Sequence, residues 1–273
     1  MPELPEVETV RQGIASHIIG QQILRISVNL PRLLKNATVQ EFAKALADKT
    51  ITAVTRRGKY ILIHLSGNTG ILVHLRMTGS LVYEAGEHIP IRGEHIVMAL
   101  TKGYLLYGDI RTFGCLWLVP NAGLTGIKGY DTLGPDGISP SFTVPYLREK
   151  MKASSRAIKP FLLDQTVVAG LGNIYVDEAL FLAKIRPSRR ANAIGVKRIA
   201  SLHDAIVTVL QRGLAHGGTT IRDFVNGTGR EGQNQHFLAV YGKEGTPCPV
   251  CGTLIKYVKL GGRGTHYCPK CQH

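Results

Sequence analysis

Residues 164–175 read Asp164-Gln165-Thr166-Val167-Val168-Ala169-Gly170-Leu171-Gly172-Asn173-Ile174-Tyr175. Segments of helical period flank the two close glycines, at 158–164 and 173–183, so the stretch reads as two helices joined by turns. Asn173 then falls at or near the start of the second helix. Unbonded N–H groups and the helix dipole attract an anion there. On this stretch alone an ordinary helix–helix turn explains the glycines equally well. Lys159, just before Pro160, is a candidate phosphate contact.

Towards the carboxyl end, 196–214 carries Ile199, Ile206, Leu210 and Leu214 on one helical face. Gly217-Gly218-Thr219-Thr220 ends that helix, and Asn226-Gly227-Thr228-Gly229 opens a glycine-rich stretch expected to be mobile. Four of the five cysteines fall in the last 26 residues, as Cys248-x2-Cys251 and Cys268-x2-Cys271. Four thiolates at this spacing read as a closed, structural zinc site in a ribbon with a hairpin over 253–266. A unit with so little core needs the metal to fold. Leu260-Gly261-Gly262-Arg263-Gly264 describes a hairpin tip from which Arg263 can reach a phosphate. A solvated surface arginine is the alternative. Cys115, between apolar neighbours on a strand, reads as packed.

Towards the amino end, 144–152 is a further helix, and 120–140 is rich in Gly, Pro and Asp without period, as a hinge would be. Before it lie short strands at 51–56, 59–65, 70–76, 80–84, 95–101, 104–108 and 114–118, preceded by one at 22–30. Antiparallel strands at this spacing predict a β-sandwich or flattened barrel. Thr38-Val39-Gln40-Glu41 is a capping box opening a short helix, and Val7, Val10, Ile14 and Ile18 mark a first amphipathic helix that Gly20 stops. The fold class is α+β and multidomain, with a sandwich at 1–119, a hinge at 120–140, a helical domain at 141–235 and a zinc ribbon at 236–273.

The 273 residues carry a formal charge of +14, with a pI near 9.7. So basic a surface points to a polyanion, nucleic acid above all. No apolar run approaches the roughly 18 residues of a membrane span, and the start lacks a signal-peptide pattern; a cytoplasmic protein is expected. That start, Met1-Pro2-Glu3-Leu4-Pro5-Glu6, carries the chemistry. Losing Met1 would leave Pro2 with a free secondary amine. An α-amino group titrates near ~8, far below a lysine, so more of it is neutral and nucleophilic at cell pH. Glu3 beside it can move protons during sugar ring opening. A frayed leader with Pro5 in the first turn of a helix is the plainer reading. Arg56-Arg57-Gly58-Lys59-Tyr60 groups three cations at a turn. Met77, in His74-Leu75-Arg76-Met77-Thr78-Gly79, stands beside polar cations. In Asp109-Ile110-Arg111-Thr112-Phe113-Gly114, Arg111 and Phe113 are two apart and so on one side of a strand. Apolar wedges and an arginine on loop tips are means of entering a duplex.

Five motifs in order resemble formamidopyrimidine-DNA glycosylases: Pro2 to Thr9, Gly58-Lys59-Tyr60, Arg111-Thr112-Phe113-Gly114, Gly170 to Tyr175, and the cysteine quartet. The resemblance spans nearly the whole chain. It implies a sandwich, a helix–two-turns–helix motif at 158–183 and the ribbon with one zinc, acting as a monomer of a bacterial cytoplasm on damaged double-stranded DNA in base excision repair. It further implies that Pro2 attacks the sugar C1′ and releases an oxidised purine, with an imine cleaved by β,δ-elimination. Glu3 would shuttle protons, Lys59 act as general acid and phosphate ligand, and Arg263 bind the flanking phosphates and assist elimination. Met77, Arg111 and Phe113 would fill the gap left by the extruded nucleotide. His74, Lys159 and Asn173 would hold backbone, and 219–229, with Thr219, Thr220, Ile221 and Arg222, would be the lid over the lesion. Family members often carry a histidine and a lysine where this chain has Gly93 and Ser154, so those contacts are not carried over. The rival readings are the related endonuclease VIII, which prefers pyrimidine lesions, and a non-catalytic DNA-binding protein.

Overall fold

The computed structural model describes residues 1–122 and 124–273, so residue 123 of the expected hinge lies outside the described residues. The chain divides into two compact units, Met1–Asp131 with His216–Gln233, and Thr132–Ala215 with Asn234–His273. Residues 216–233, placed from sequence inside a 141–235 domain, pack instead with the amino-terminal unit. The reason lies in long-range contacts: Glu6 accepts the Thr219 N–H at 2.7 Å, and the Gly227 carbonyl accepts the Tyr83 N–H at 2.9 Å.

The first unit opens with α1 (Leu4–Ile18), β1 (Ile23–Val28) and α2 (Val39–Leu46). Gly20, at φ +85, turns the chain out of α1. Thr38 caps α2 through the expected reciprocal box, with the Glu41 N–H on its hydroxyl at 3.2 Å and its own N–H on the Glu41 carboxylate at 2.8 Å. Strands β2 (Ile51–Arg57), β3 (Tyr60–Leu65), β4 (Thr69–His74), β5 (Gly79–Glu84), β6 (Glu94–Leu100), β7 (Tyr104–Asp109) and β8 (Cys115–Val119) follow. They form two antiparallel four-stranded sheets, β1-β6-β7-β5 and β2-β3-β4-β8. Ile61, Ile63, Ile71 and Val73 of one sheet share a core with Leu81, Ile96, Met98 and Leu105 of the other. The apolar stripe of α1, Val7, Val10, Ile14 and Ile18, joins the same core. Burying that stripe holds the amino terminus in place.

A short helix, α3 (Lys128–Asp131), lies in the span read as hinge. The second unit contains α4 (Val144–Lys152), α5 (Ile158–Leu162), α6 (Asn173–Leu182) and α7 (Val196–Ala215), then the hairpin β9 (Lys256–Leu260) and β10 (Arg263–Tyr267). Helix α5 stops before Asp164, whose carboxylate accepts the Thr166 N–H at 3.0 Å and draws the chain into the turn. The ribbon's core is Val240, Ile255, Cys248 and Cys268, too small to hold two strands unaided. Among the described residues no helix is long and apolar enough to cross a membrane.

Candidate active site

Glu3 and Glu6 are both 2% exposed. The Glu6 carboxylate accepts the Glu3 N–H at 2.8 Å through one oxygen and the Thr219 N–H at 2.7 Å through the other. One buried side chain thus ties the start of α1 to the first residue of the loop expected to be the lid. Pro2 is buried beside it. Burial pushes the Met1 amine below its ordinary pKa, with Glu3 and Glu6 opposing and Lys59 and Arg111 adding to the fall. The amino terminus therefore lies within the electrostatic reach of two carboxylates and two cations.

Lys59 is brought there by its turn. Glu8 on α1 accepts from Arg56 Nε at 2.9 Å, and Arg56 Nη1 donates to the Gly58 carbonyl at 2.9 Å. Burial alone would raise the Glu8 carboxyl, but hydrogen bonds from Arg11 and Arg56 outweigh it and hold the pKa below the usual range. The three cations of 56–59 thus divide: Arg56 braces the turn, and Lys59, 4% exposed, is enclosed in the site.

His74 ends β4 with its ring buried. Burial, then the charges of Arg76 and Lys59, drive its pKa down to about 3. The ring is neutral at cell pH. Its Nδ1 accepts the Arg76 N–H at 3.0 Å, so its proton sits on Nε2, a donor suited to an anionic oxygen.

Met77 and Phe113 are 38% and 53% exposed. Both occupy turns. The expectation that Arg111 and Phe113 share one side of a strand is corrected: β7 ends at Asp109, and Thr112 has φ +56. They share a side through that bend, with the Arg111 guanidinium 4.9 Å from the Phe113 ring centroid. Gly114 is dictated by its neighbour, since a Cβ would fall 1.6 Å from the Tyr107 hydroxyl. Position 93 is explained similarly. Gly93 has φ +68 and lies against the Asp109–Ile110 backbone, where any side chain is strained.

The lid residues fall into two classes. Thr219 and Thr220 are buried, Thr220 accepting the Gly232 N–H at 2.9 Å and donating to the Phe224 carbonyl at 3.0 Å. Ile221 and Arg222 are exposed at the tip. The far end of the loop docks where Gly227 meets Gly13 of α1, closely enough that a Cβ on Gly227 would lie 2.7 Å from the backbone of Val10 and Ile14.

In the second unit Lys159 is placed differently from its expectation. It is fully buried, and its ammonium donates to Asp177 at 2.7 Å and to the Gly264 carbonyl at 2.7 Å. A side chain so enclosed is not a surface phosphate ligand. Asn173 also donates to the Gly264 carbonyl, at 3.1 Å, and the second Asp177 oxygen accepts the His266 N–H at 2.9 Å. Helices α5 and α6 thereby fix the strand that carries Arg263, which is exposed. Glu178 takes the N–H groups of Ala239, Val240 and Tyr241 at 2.9–3.0 Å and anchors the approach to the ribbon. Sequence reasoning missed Glu6, Glu8, Asp109, Asp177 and Glu178.

The four cysteine sulfurs lie within 4.8 Å of one another, with pairs at 3.9 and 3.5 Å. Tetrahedral zinc at about 2.3 Å from each sulfur spaces them by about 3.8 Å. The quartet fits one structural zinc with no open position.

The amino-terminal residues 1–116 match the model of the formamidopyrimidine-DNA glycosylase N-terminal domain. Residues 133–225 match the H2TH domain of the same enzymes, and 245–273 a zinc finger found in FPG and IleRS. The formamidopyrimidine-DNA glycosylase of Pelotomaculum thermopropionicum is 48% identical over 273 residues, covering 100% of this chain and 99% of the relative. The chain belongs to the formamidopyrimidine-DNA glycosylase family. The family's Streptococcus pyogenes member is 41% identical, with 100% and 98% covered. A Lactococcus lactis FPG mutant in complex with a Fapy-dG containing DNA superposes with a TM-score of 0.94 at 39% identity, over all of both chains. The wild-type Lactococcus lactis protein in complex with an oxidized pyrimidine containing DNA gives 0.92 at 39%, again over all of both.

Proposed function

We propose that the chain is a bifunctional glycosylase and abasic-site lyase that excises oxidised purines, 8-oxoguanine and formamidopyrimidines, from double-stranded DNA. It acts as a monomer in the cytoplasm, with Pro2 as nucleophile once Met1 is removed. The observation that carries this reading is the amino terminus, with Pro2 buried, lying within the electrostatic reach of Glu3, Glu6, Lys59 and Arg111. An amine at Pro2 would meet the same burial, which favours its neutral, nucleophilic form. Its nitrogen attacks C1′ as the C1′–base bond breaks and that pair leaves with the base; the Pro2 N–H proton passes to Glu3, which delivers it to O4′ as the nitrogen lone pair opens the C1′–O4′ bond. The resulting iminium acidifies C2′. Loss of that proton expels the 3′ phosphate, and a second elimination expels the 5′ phosphate. Lys59 serves as general acid and phosphate ligand.

His74, through Nε2, and the N-terminus of α6 at Asn173 hold backbone phosphates. Arg263 holds those flanking the lesion and assists elimination. Met77, Arg111 and Phe113 fill the vacated stack, and the Ile221–Arg222 tip covers the extruded base. Lys159 acts indirectly, by holding the strand of Arg263. The zinc holds the ribbon's fold and takes no part in the chemistry.

Excision from otherwise identical duplexes carrying 8-oxoguanine or thymine glycol tests the substrate class. Faster release of the purine is expected. A preference for thymine glycol would overturn it, and the Lactococcus lactis complex with an oxidized pyrimidine makes that comparison worth running.

A further inference from the structure

Asp109 is the last residue of β7 and is fully buried. Its carboxylate is turned into the chain rather than to solvent. One oxygen accepts the Thr78 hydroxyl at 2.5 Å and the Arg111 N–H at 3.2 Å, and the other accepts the Gly114 N–H at 2.7 Å. The Arg111 N–H is shared with the Thr78 hydroxyl at 3.1 Å, and the Asp109 carbonyl accepts the Thr112 N–H at 3.1 Å. One carboxylate therefore binds both the turn that presents Met77 and the turn that presents Arg111 and Phe113. Those turns are some 30 residues apart in sequence, and each carries a residue in the left-handed region, Arg76 at φ +54 and Thr112 at φ +56. Left-handed backbone at a non-glycine residue persists only where surrounding contacts over-determine it. Charge-assisted bonds to N–H and hydroxyl donors in a buried setting supply such contacts.

We infer that Asp109 is a positioning residue that locks Met77, Arg111 and Phe113 into one rigid wedge. Insertion into a duplex unstacks a step and requires the wedge side chains to enter together. Two turns moving independently would lose that simultaneity, and misplacement by about 1 Å can cost a reaction on the order of a hundredfold. The inference rests on the proposed role of the three wedge residues. Asparagine at 109 keeps the shape but puts an NH2 group where one oxygen now accepts, so in either orientation the turn of Arg111 and Phe113 loses an acceptor for a backbone N–H, that of Arg111 or that of Gly114.

The test separates insertion from chemistry, because a single-stranded abasic oligonucleotide has no stack to enter. Asp109→Asn and the milder Thr78→Val are compared with the unaltered chain in excision from lesion duplex and in borohydride trapping on the single strand. Duplex excision is expected to fall roughly tenfold to a hundredfold for Asp109→Asn and less for Thr78→Val, with single-strand trapping unchanged for both. A fluorescent base analogue opposite the lesion should also brighten less on binding. Equal losses on the two substrates, or no loss on either, overturn the inference. An unaltered chain that traps on neither substrate overturns the reading of the active site, and this inference with it.

Discussion

A buried imidazole between two cations resists protonation, and His74 is such a group, held neutral down to about pH 3. Its ordinary pKa is about 6.5, so between the two values the unfolded chain binds a proton that the folded chain refuses. Stability from this residue is full above about pH 6.5. It falls as the solution is acidified towards 3, with a slope approaching about 1.4 kcal/mol per pH unit. Urea melts of the unaltered chain and of His74→Gln at pH 7 and pH 5 check this. The unaltered chain should lose more stability between the two pH values than the variant; equal losses would show that the ring titrates normally. At the same scale, Asp177→Asn leaves Lys159 buried beside a neutral amide. Removing one partner of such a pair costs about 3–5 kcal/mol. Differential scanning calorimetry should place that loss in the second unit, and an unchanged melt would contradict the pairing.

At the scale of elements, the loop over 219–229 is a strap pinned at both ends, by Glu6 at Thr219 and by Gly227 against Gly13. Gly227→Ala would drive a methyl into the backbone of α1 and free one end. Hydrogen exchange at 220–230 should quicken severalfold while the sheets stay protected, and lesion excision should fall with little effect on abasic-site cleavage. Unaltered exchange would refute the pin. This element also marks what the sequence made legible. Helices α1 and α2 are legible because Val7-Val10-Ile14-Ile18, the Thr38–Glu41 box and Gly20 are local signals. Residues 216–233 pack with the amino-terminal unit through Glu6 and Tyr83, anchors more than 130 positions away that no local pattern signals. Glu6, Asp109 and Glu178 escaped notice for one physical reason: each is a buried carboxylate whose partners are mostly backbone N–H groups, which leave no mark in composition or period. Lys159 was misread in the complementary way, as a cation beside a proline whose buried partner, Asp177, lies 18 residues on.

For the whole molecule, a formal charge of +14 and a metal-dependent ribbon set the terms of binding. Affinity for duplex should decline linearly in log–log fashion with salt, as counterion release requires, and a flat response would argue against a phosphate-tracking surface. Stripping zinc should abolish duplex binding while the amino-terminal unit still melts cooperatively, because the strand of Arg263 depends on the ribbon. Full binding by the zinc-free chain would contradict that. Everything turns on a single nitrogen, that of Pro2, and borohydride trapping on an abasic duplex, followed by intact-mass analysis and peptide mapping of the adduct, reads it directly. One deoxyribose remnant is expected, attached to Pro2 of a chain lacking Met1, with little adduct from a Pro2→Gly variant. An adduct mapped to Lys59 or any other lysine, or trapping at full yield by a chain that keeps Met1, would contradict it.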